Sequence, residues 1–490
     1  MEPCDLTATA ARTLIGRRAL SPVELTASCI ARTEALDQAV NAIPARCFDR
    51  ARAEAKAAEA RVMSGANLPP LHGLPVGIKD TQAAEGLPFT MGSLLFRDHR
   101  PAADSHLVAA LRAAGTIVLG KTNTPEFAAG ANTRNAVYGA TGNPFDNTRS
   151  AAGSSGGSAV ALACGMVPLA TGSDTGGSLR NPAAFCGVVG FRPSPGLVPA
   201  EAHIHGWSPL PVDGPMARTV PDLCLLLSAM VGDDARDPLA TRVLARHFAT
   251  PAAVDLQRLR VAITPDLGFA PTERAVAAAF ADKTNAFRHV FARAEDAAPD
   301  CTGVDRSFAV LRAVGFLASH GARVRDHAAQ IGPNVHANVA EALTYTAADI
   351  ADALSVQTKL YRAWLAFYAD YDIILTPSVT ISPRPWSELA PTEIDGRVMA
   401  SYYQWLGLAY APTLVGHPAV SIPVGVDGAG MPFGLQIIGR RGGDLAVLAA
   451  AAALENLLGQ DARTARPLPD LARLGRSPPI AAMDGFMGFS

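Results

Sequence analysis

The sequence predicts an α/β fold built around a buried, mostly parallel or mixed β-sheet. Residues 75–78 and 116–119 are short apolar runs with the length of buried strands. A helical pattern at 105–114 stands between them, and glycine turns separate the elements. Further strand patterns occur at 371–375 and 419–424. This succession of helix, short apolar strand and glycine turn is typical of βα units, in which helices cover the sheet.

Length and composition indicate a globular protein with a large core. The chain has 490 residues, a length that some α/β enzymes use as one domain and other proteins divide into two or three. Hydrophobic residues make up 49% and charged residues 18%, which supplies ample apolar material for a core. The net charge of −2 provides no basic field for a phosphate backbone, so nucleic acid is not expected as a partner.

Cysteine usage and the start of the chain predict a cytoplasmic protein. The seven cysteines are odd in number and form no Cys-x-x-Cys pair, which argues against a disulfide framework or a zinc knuckle. The first residues lack the basic start and apolar core of a signal peptide. The longest apolar stretches, 158–170 and 445–454, are too short to span a bilayer. We therefore expect no membrane association, and the sequence leaves open whether the chain forms a homodimer.

Changes in pattern divide the chain into three stretches. Residues 1–65 have helical patterning and are expected to pack on the core. Residues 66–468 contain the strand patterns and end with a predicted helix at 444–458. Within this stretch, residues at about 235–370 return to helical patterning with fewer glycines, which predicts a more variable helical insertion or lid. Residues 469–490 contain proline and glycine and are expected to form a loosely packed extension.

The first of two clusters rich in glycine and serine covers residues 153–158. It reads Gly-Ser-Ser-Gly-Gly-Ser and precedes an apolar helical segment, so its N–H groups would lie at a helix N-terminus. Alone, this pattern is a weak signal, and a phosphate loop or a tight strand–helix turn explains it as well as a catalytic loop does. The cluster lacks the Gly-Lys-Ser/Thr end of a P-loop and the Gly-x-Ser-x-Gly spacing of a nucleophile elbow.

The second cluster, residues 172–180, places Ser178 directly after two glycines. Consecutive amides in such a turn can form a nest for a developing oxyanion. Asp174 and Arg180 bracket the turn, and we expect them to lock it by hydrogen bonding. A serine in a glycine turn is usually structural, but two such clusters joined by one buried helix favour a functional site.

A nucleophilic serine needs a base, and the sequence offers two kinds. None of the eleven histidines lies in a recognisable triad motif, including His203 and His205 in a loop rich in proline and glycine. Lys79 follows the apolar run 75–78, where desolvation would favour the neutral, basic amine. A plain ion pair between Lys79 and Asp80 explains the lysine slightly better from the local sequence. The identity of the base stays open at this point.

Three segments together resemble the amidase signature family. They are residues 153–158, residues 174–187, and the run His-Gly-Leu-Pro-Val-Gly-Ile-Lys-Asp at 72–80, which is similar to the lysine motif of the family. Further agreement occurs at 214–220, 375–377 and 416–423, so the resemblance spans roughly 5–460 and is weakest at about 235–370. It implies a single large α/β domain with a mixed, twisted β-sheet core covered by α-helices.

The resemblance also implies roles for individual residues. Ser178 would be the acyl-forming nucleophile, Ser154 the bridging serine after a cis peptide bond, and Lys79 the base. The amides of the serine turn would form the oxyanion hole, namely those of Thr175, Gly176, Gly177 and Ser178. The supporting residues would be Ser155, Asp174 and Arg180. This mechanism requires neither a metal nor a cofactor.

One departure and two alternatives accompany the resemblance. Many family members have glycine where this chain has Ala152, and we expect alanine to be tolerated if its φ is negative. Glutaminase-type subunits of tRNA-dependent amidotransferases commonly have Gln where this chain has Asn181, which favours a free-standing amidase. An inactive binding homologue is the other alternative, and the intact Lys79, Ser154 and Ser178 argue against it.

The resemblance implies a small amide, anilide, carbamate or ester as the substrate. We expect an aryl acylamide, with aryl carbamate (urethane) or ester cleavage as the nearest alternative. Selectivity is expected from the loops 127–132, 203–207 and 402–405 and from the helices at 310–370. These loops contain the aromatic residues Trp207, Tyr402, Tyr403 and Trp405. They fit contact with an aromatic or apolar substrate group, and they fit an ordinary core or rim role equally well.

Overall fold

The computed structural model describes residues 2–487 and consists of a large β-sheet covered by helices. The helices are α1 (Ala8–Gly16), α2 (Pro22–Val40), α3 (Phe48–Met63), α4 (His106–Ala113), α5 (Gly156–Ala163), α6 (Arg180–Cys186), α7 (Val220–Met230), α8 (Arg274–Phe287), α9 (Val304–His327), α10 (Pro333–Ala342), α11 (Ala347–Phe367), α12 (Gly407–Leu414), α13 (Asp444–Leu458) and α14 (Leu471–Gly475). The strands are β1 (Ala45–Arg46), β2 (Pro75–Lys79), β3 (Ile117–Thr122), β4 (Arg134–Asn135), β5 (Gly139–Ala140), β6 (Leu169–Asp174), β7 (Val189–Arg192), β8 (Val212–Ala217), β9 (Arg260–Ile263), β10 (Arg293–Asp296), β11 (Ile373–Pro377), β12 (Glu393–Ile394), β13 (Arg397–Val398), β14 (Ala419–Val426) and β15 (Pro432–Ile438).

Eleven strands form the central sheet, in the order β1-β3-β2-β6-β8-β7-β14-β15-β11-β9-β10. Two parallel groups, β3-β2-β6 and β11-β9-β10, lie toward the two ends of this order. The strands between them pair antiparallel, as does β1 with β3 at one edge. The sheet is therefore mixed, and the predicted fold class, a single α/β domain, is confirmed.

Helices cover both faces of this sheet, and two glycines of the β15 region allow their close approach. A Cβ on Gly434 would lie 2.5 Å from the Cβ of Ala184 on α6. A Cβ on Gly439, directly after the strand, would overlap Val447 on α13. Successive residues of a strand point to opposite faces, and these two glycines are an odd number of positions apart. Helices α6 and α13 therefore pack on opposite faces.

The parallel pairing of β2 with β6 creates the edge at which the predicted site lies. Val76 pairs with Leu169, so both strands run in the same direction and end at the same edge of the sheet. Lys79 ends β2, and Asp174 ends β6. Helix α5 packs against both strands, and every one of its residues is buried because it is apolar on all sides.

Most elements predicted from the sequence are confirmed. The apolar runs at 75–78 and 116–119 lie in β2 and β3, and the helix predicted at 444–458 is α13. The patterns at 371–375 and 419–424 correspond to β11 and β14. These segments are short, apolar and bounded by turns, so the local pattern alone identifies them.

The predicted helical insertion at about 235–370 is only partly helical. The stretch contains β9 and β10, and β9 pairs with β11 inside the central sheet. The helical part of the stretch consists of α8, which stands between the two strands, and of the three successive helices α9, α10 and α11. The two strands are four residues each, and β10 (Arg-Ala-Glu-Asp) is polar and exposed. Such a strand has no apolar periodicity by which the sequence could reveal it.

The expectation of a loosely packed extension at 469–490 is wrong for its described part, which ends at residue 487. Helix α14 packs on α2 and buries Leu474 to 1% exposure. Ile480 is equally buried in a small cluster with Ala140 and Trp386. The buried apolar residues are isolated among prolines, glycines and charged residues, so the composition of the segment gave no indication that they are buried.

The described residues also bear on membrane crossing and on thiol chemistry. None of the helices between residues 2 and 487 is both long enough and apolar enough to cross a bilayer. All seven cysteines are free thiols, and most are buried. Burial raises the pKa of Cys224 to about 12. Thiols of this kind are weak nucleophiles at neutral pH because the thiolate is scarce.

The packing of the C-terminal segment can be tested with a pair of leucines. Replacing the buried Leu474 with alanine removes a side chain that contacts the core, and we expect the free energy of unfolding to fall by about 2–5 kcal/mol. Leu468→Ala is the matched control because Leu468 is 72% exposed, and its effect should be within experimental error. Urea unfolding followed by circular dichroism measures both. Equal, negligible effects would contradict the packing of α14.

Candidate active site

Lys79 lies at the carboxyl end of β2 and is completely buried. Its Nζ lies 2.6 Å from Ser154 Oγ and 2.8 Å from Ser173 Oγ. Its backbone N–H donates a hydrogen bond of 3.0 Å to Thr171 Oγ1, which fixes the strand end to β6. The lysine amine is therefore held between two serine hydroxyls that come from separate glycine-rich clusters.

The alternative ion pair between Lys79 and Asp80 is absent. Asp80 Oδ1 lies 3.1 Å from Nζ of Lys121 on β3, and both side chains are buried. Lys121 also donates to the carbonyl oxygens of Gln82 and Pro88, at 2.6 and 3.2 Å. Adjacent residues at a strand end point in opposite directions, so Asp80 cannot follow Lys79 into the same environment. The local interpretation that the sequence slightly favoured is wrong.

The peptide bond between Gly153 and Ser154 is cis, and Ser154 is completely buried. The next residue, Ser155, donates its N–H to the carbonyl oxygen of Ser178 at 3.2 Å. The N–H of Ser173 in turn donates to Ser155 Oγ at 3.3 Å. These contacts hold the two clusters against each other, so Ser154 and Ser178 lie in adjoining segments.

Ala152 has a positive φ of 56°, so the condition under which alanine was expected to be tolerated is not met. This left-handed conformation is about 1–2 kcal/mol less stable for a residue with a Cβ. The Ala152 carbonyl accepts two hydrogen bonds from Thr133, at 3.0 Å from its N–H and 2.8 Å from its Oγ1. These bonds fix the backbone orientation ahead of Gly153 and offset the cost of the conformation.

Asp174 organises the turn that carries Ser178. Its Oδ1 accepts a hydrogen bond of 2.9 Å from the N–H of Gly177, and its Oδ2 accepts one of 3.1 Å from the N–H of Leu179. The Gly177 N–H is thereby occupied, which removes it from the predicted set of oxyanion donors. Within the described residues, the N–H groups of Thr175 and Gly176 make no hydrogen bond, and neither does that of Ser178.

Two arginines neutralise the buried Asp174 carboxylate. Arg180 binds both carboxylate oxygens, at 2.8 and 3.0 Å, and Arg192 donates to the Asp174 carbonyl oxygen at 2.6 Å. Arg180 also donates to Gln436 and Thr413, at 2.7 and 3.0 Å. Burial by itself would raise the pKa of Asp174, but the arginines and backbone donors hold it at about 2. The predicted locking role of Asp174 and Arg180 matches this geometry.

Burial lowers the pKa of Lys79 to about 7, and the charges of Asp213 and Asp174 act in the opposite direction. Asp213 lies on β8 opposite Ser173 in the antiparallel register, and burial raises the pKa of this carboxyl. Its Oδ1 accepts a hydrogen bond of 3.0 Å from Gln82 Nε2. At neutral pH, a substantial fraction of Lys79 is the neutral amine, which can accept a proton.

A cavity of about 510 Å³ opens beside the serine turn. Ser178 is partly exposed at its wall with Thr175 and Gly176, whereas Lys79 and Ser154 are buried behind it. The aromatic residues on its wall are Phe89, Phe127, Phe308, Phe316, Tyr402 and Tyr403.

The four aromatic residues singled out from the sequence fall into two groups. Tyr402 and Tyr403 line the cavity. Trp405 is buried and contacts Phe185, with ring centroids 6.5 Å apart, whereas Trp207 is 75% exposed. The predicted loops 127–132 and 203–207 both contribute to the cavity wall, as does helix α9. Trp405 is therefore an ordinary core residue and Trp207 an ordinary surface residue, whereas the two tyrosines are placed where they can contact a substrate.

Sequence reasoning missed the residues that connect the site across strands. Ser173 belongs to the second serine cluster, yet its contact with Lys79 depends on the pairing of β6 with β2. Asp213 and Gln82 carry no local signal at all. The histidines His203 and His205 line the cavity. Among residues 2–487, however, the side-chain partner of Ser154 is Lys79, and no histidine is hydrogen bonded to Ser154 or Ser178.

Comparison with known proteins decides the family. A family model described as Amidase matches residues 24–448. The acylamidase of Rhodococcus erythropolis is 34% identical over 465 residues, which cover 92% of this chain and 95% of that protein. The chain belongs to the amidase family. This amidase is accordingly an amide-hydrolysing enzyme.

Solved structures and a second relative show how varied the neighbours of this amidase are. A bacterial aryl acylamidase of the amidase signature family superimposes with a TM-score of 0.87 at 28% identity, covering 97% of this chain and 99% of that chain. A 6-aminohexanoate cyclic dimer hydrolase gives a TM-score of 0.82 at 26% identity, with 96% and 99% coverage. One of the subunits of the glutamyl-tRNA(Gln) amidotransferase of Chloroflexus aggregans is 33% identical, with coverage of 96% and 99%.

The ion cluster around Asp174 should dominate the stability of this amidase. In Asp174→Asn the charges of Arg180 and Arg192 lose their buried counter-ion, so we expect the free energy of unfolding to fall by about 3–5 kcal/mol. The matched control is Asp461→Asn, which breaks an exposed ion pair with Arg463 and should leave the unfolding midpoint unchanged. Urea unfolding measures both, and similar midpoints for the two variants would contradict this assignment.

The pH dependence of activity should report the Lys79 amine. The value of kcat/KM should rise with pH through a pKa of about 7 as Lys79 loses its proton. Asp213→Asn removes a negative charge that stabilises the ammonium form, so the midpoint should move to lower pH. Glu201→Gln is the control, because Glu201 also lines the cavity but accepts its hydrogen bond from the His106 N–H. A pH–rate profile measures all three enzymes, and an unmoved midpoint in Asp213→Asn would count against the role of Asp213.

Proposed function

We propose that this amidase cleaves the C–N bond of a small aryl acylamide through an acyl-enzyme on Ser178. In this mechanism, Ser154 and Lys79 form the proton relay. The observation that carries the proposal is the 2.6 Å contact between Lys79 Nζ and Ser154 Oγ in a completely buried environment. A buried lysine amine with a pKa of about 7 can act as the base that a serine nucleophile needs.

The first half of the proposed reaction forms the acyl-enzyme. Ser154 passes its hydroxyl proton to the neutral Lys79 amine and accepts the proton of Ser178. Ser178 Oγ then bonds to the carbonyl carbon, and the carbonyl oxygen becomes an oxyanion. The N–H groups of Thr175 and Gly176 make no bonds within the described part of the protein, and both residues line the cavity, so these groups are suited to receive this charge.

The second half releases the products. The relay returns the proton to the leaving nitrogen, the C–N bond breaks, and the amine departs. Water then attacks the acyl ester, its proton passes to the relay, and the carboxylic acid leaves as Ser178 regains its hydroxyl proton. Ser173 hydrogen bonds with Lys79 at 2.8 Å and keeps the amine beside Ser154 throughout, so it acts as a positioning residue.

The preference for an aryl acylamide has two supports. The six aromatic side chains on the cavity wall provide a surface on which a planar ring can stack. The similar solved structure with a TM-score of 0.87 is a bacterial aryl acylamidase, and the Rhodococcus relative is an acylamidase. Aryl carbamates and esters share the same carbonyl geometry and remain the second substrate class to test.

A glutaminase-type subunit of a tRNA-dependent amidotransferase is the second candidate function. It is favoured by the 33% identity with an amidotransferase subunit over nearly the whole chain. Asn181, in place of the Gln common in those subunits, favours the free-standing amidase. Purified protein offered glutamine should release no ammonia if the first proposal is correct. Hydrolysis of glutamine, with p-nitroacetanilide left intact, would favour the second candidate.

Two substitutions test the catalytic assignment. Ser178→Ala removes the nucleophile and should lower kcat/KM for p-nitroacetanilide by about 10⁴-fold or more. Lys79→Ala removes the base and should cost about 10²- to 10⁴-fold at neutral pH. Release of p-nitroaniline measures turnover, and intact mass after a fluorophosphonate probe measures labelling of Ser178.

The controls for these variants are residues of the same types away from the site. Ser228→Ala replaces a buried serine on α7, and Lys359→Ala replaces an exposed lysine on α11. Both should keep wild-type turnover and labelling. Substantial activity in Ser178→Ala or Lys79→Ala, with folding verified by circular dichroism, would overturn the proposed mechanism.

A further inference from the structure

Helix α9 brings a buried arginine to the cavity wall. Arg312 is only 8% exposed, and it lies on the wall together with Phe308 and Phe316. These three residues are four positions apart along α9, so they share one face of the helix. A buried charge on the wall of a substrate cavity is costly unless something neutralises it.

The protein orients the Arg312 guanidinium with neutral groups. Nη1 donates to Asn338 Oδ1, and Nη2 donates to the Tyr402 hydroxyl. Asn338 Nδ2 also donates to the Tyr402 hydroxyl at 2.7 Å, which ties the two acceptors together. The guanidinium has five N–H donors, and these contacts use two of them. Its position is therefore fixed, while part of its hydrogen-bonding capacity is left.

No carboxylate lies within 4 Å of the Arg312 guanidinium among residues 2–487. Glu341, on the neighbouring α10, accepts hydrogen bonds from the hydroxyls of Tyr403 and Tyr345, each at 2.7 Å. Other buried arginines are satisfied differently. Arg180 pairs with a carboxylate, and Arg218 donates to three backbone carbonyls away from the cavity.

Three aromatic rings stabilise the Arg312 cation without neutralising it. Its guanidinium carbon lies 4.4 Å from the ring centre of Tyr403, 4.5 Å from that of Phe316 and 5.3 Å from that of Tyr402. Such contacts are attractive, yet they add no negative charge. The arrangement holds a cation ready for a planar anion, because a guanidinium binds a carboxylate through two parallel N–H bonds.

The distance between the serine turn and Arg312 suits a substrate that contacts both of them. A Cβ on Gly176 would lie 3.4 Å from the Phe308 ring, so Phe308 marks the position of the turn along α9. Arg312 is one helical turn farther, a rise of about 6 Å. A benzene ring or a short aliphatic chain spans that length. Arg323, which also lines the cavity, lies about 16 Å beyond Arg312 at the same rise per residue and is too far to serve this purpose.

We propose that Arg312 is a specificity-determining residue that binds a carboxylate on the substrate, so that this amidase acts on amides carrying a carboxylate about one ring length from the scissile carbonyl. The inference rests on the proposed function, because it places the scissile carbonyl at Ser178. The carboxylate can belong to the acyl part or to the amine part, and the two are tested separately.

Substrate pairs that differ only in charge test the proposal with the wild-type enzyme. In the acyl series, the succinyl and glutaryl 4-nitroanilides are compared with the 4-oxopentanoyl and 5-oxohexanoyl 4-nitroanilides, in which a methyl group replaces the carboxylate oxygen. In the amine series, 4-acetamidobenzoate is compared with 4-acetylacetanilide. We expect the carboxylate to raise kcat/KM by about 10-fold or more in one series, since charge-assisted hydrogen bonds have that strength.

Variants identify the residue responsible. Arg312→Gln should abolish the preference for the carboxylate, chiefly through a higher KM for the carboxylate substrate, so that the ratio of kcat/KM between the two partners falls to about 1. The matched control is Arg306→Gln on the same helix, where Arg306 pairs with Asp349 and lies outside the cavity lining. This control should keep the wild-type preference.

The outcomes separate this inference from the proposed function. Equal or better hydrolysis of the neutral partners in both series by the wild-type enzyme overturns the carboxylate site, even if Arg312→Gln fails to fold. Retention of the preference by a folded Arg312→Gln overturns the role of Arg312. If no substrate is hydrolysed and Ser178 resists a fluorophosphonate probe, the proposed function fails. If the probe does label Ser178, the compounds are tested as competitors of the probe. Slower labelling in the presence of the carboxylate compound than in the presence of its ketone partner supports the site, and equal labelling rates overturn it.

Discussion

The buried ion cluster centred on Asp174 is the constraint on which the site depends. Asp174 ends β6, binds Arg180 through both oxygens, and accepts the N–H groups of Gly177 and Leu179. The same carboxylate therefore neutralises buried arginine charge and bends the backbone that presents Ser178. Because these contacts use fully buried groups, water cannot replace any of them cheaply. The outcome is a turn held at several points, and its residues Thr175, Gly176 and Ser178 line the cavity.

Lys79 shows how the same burial that supports the fold also sets the chemistry. Desolvation lowers its pKa, and the charges of Asp213 and Asp174 raise it again, so that the balance comes to about 7. Either influence alone would move the pKa of the amine away from neutral pH, where a general base is most effective. Arg312 illustrates the contrasting case, because an arginine cannot lose its proton and so presents a lasting charge to the cavity.

Local sequence patterns sufficed where an element is apolar and bounded by turns, as for β2, β3, β14 and α13. They failed for β10, whose four residues are polar, and for the tail around Leu474, whose burial depends on a surface that α2 supplies. The backbone conformation of Ala152 was open from the sequence for a similar reason. Its positive φ is maintained by two hydrogen bonds from Thr133, which lies in another loop.

The sequence by itself determined the fold class. Through its resemblance to a family it also singled out Lys79, Ser154 and Ser178 as candidates, because glycine spacing and a lysine after an apolar run are local properties. Only the tertiary structure decided what surrounds them. The pairing of β2 with β6, and of β6 with β8, brought Ser173 and Asp213 to the lysine, and helix α9 brought Arg312 to the cavity. Contacts between residues distant in the chain, and the burial that shifts a pKa, depend on register and packing, which no local pattern contains.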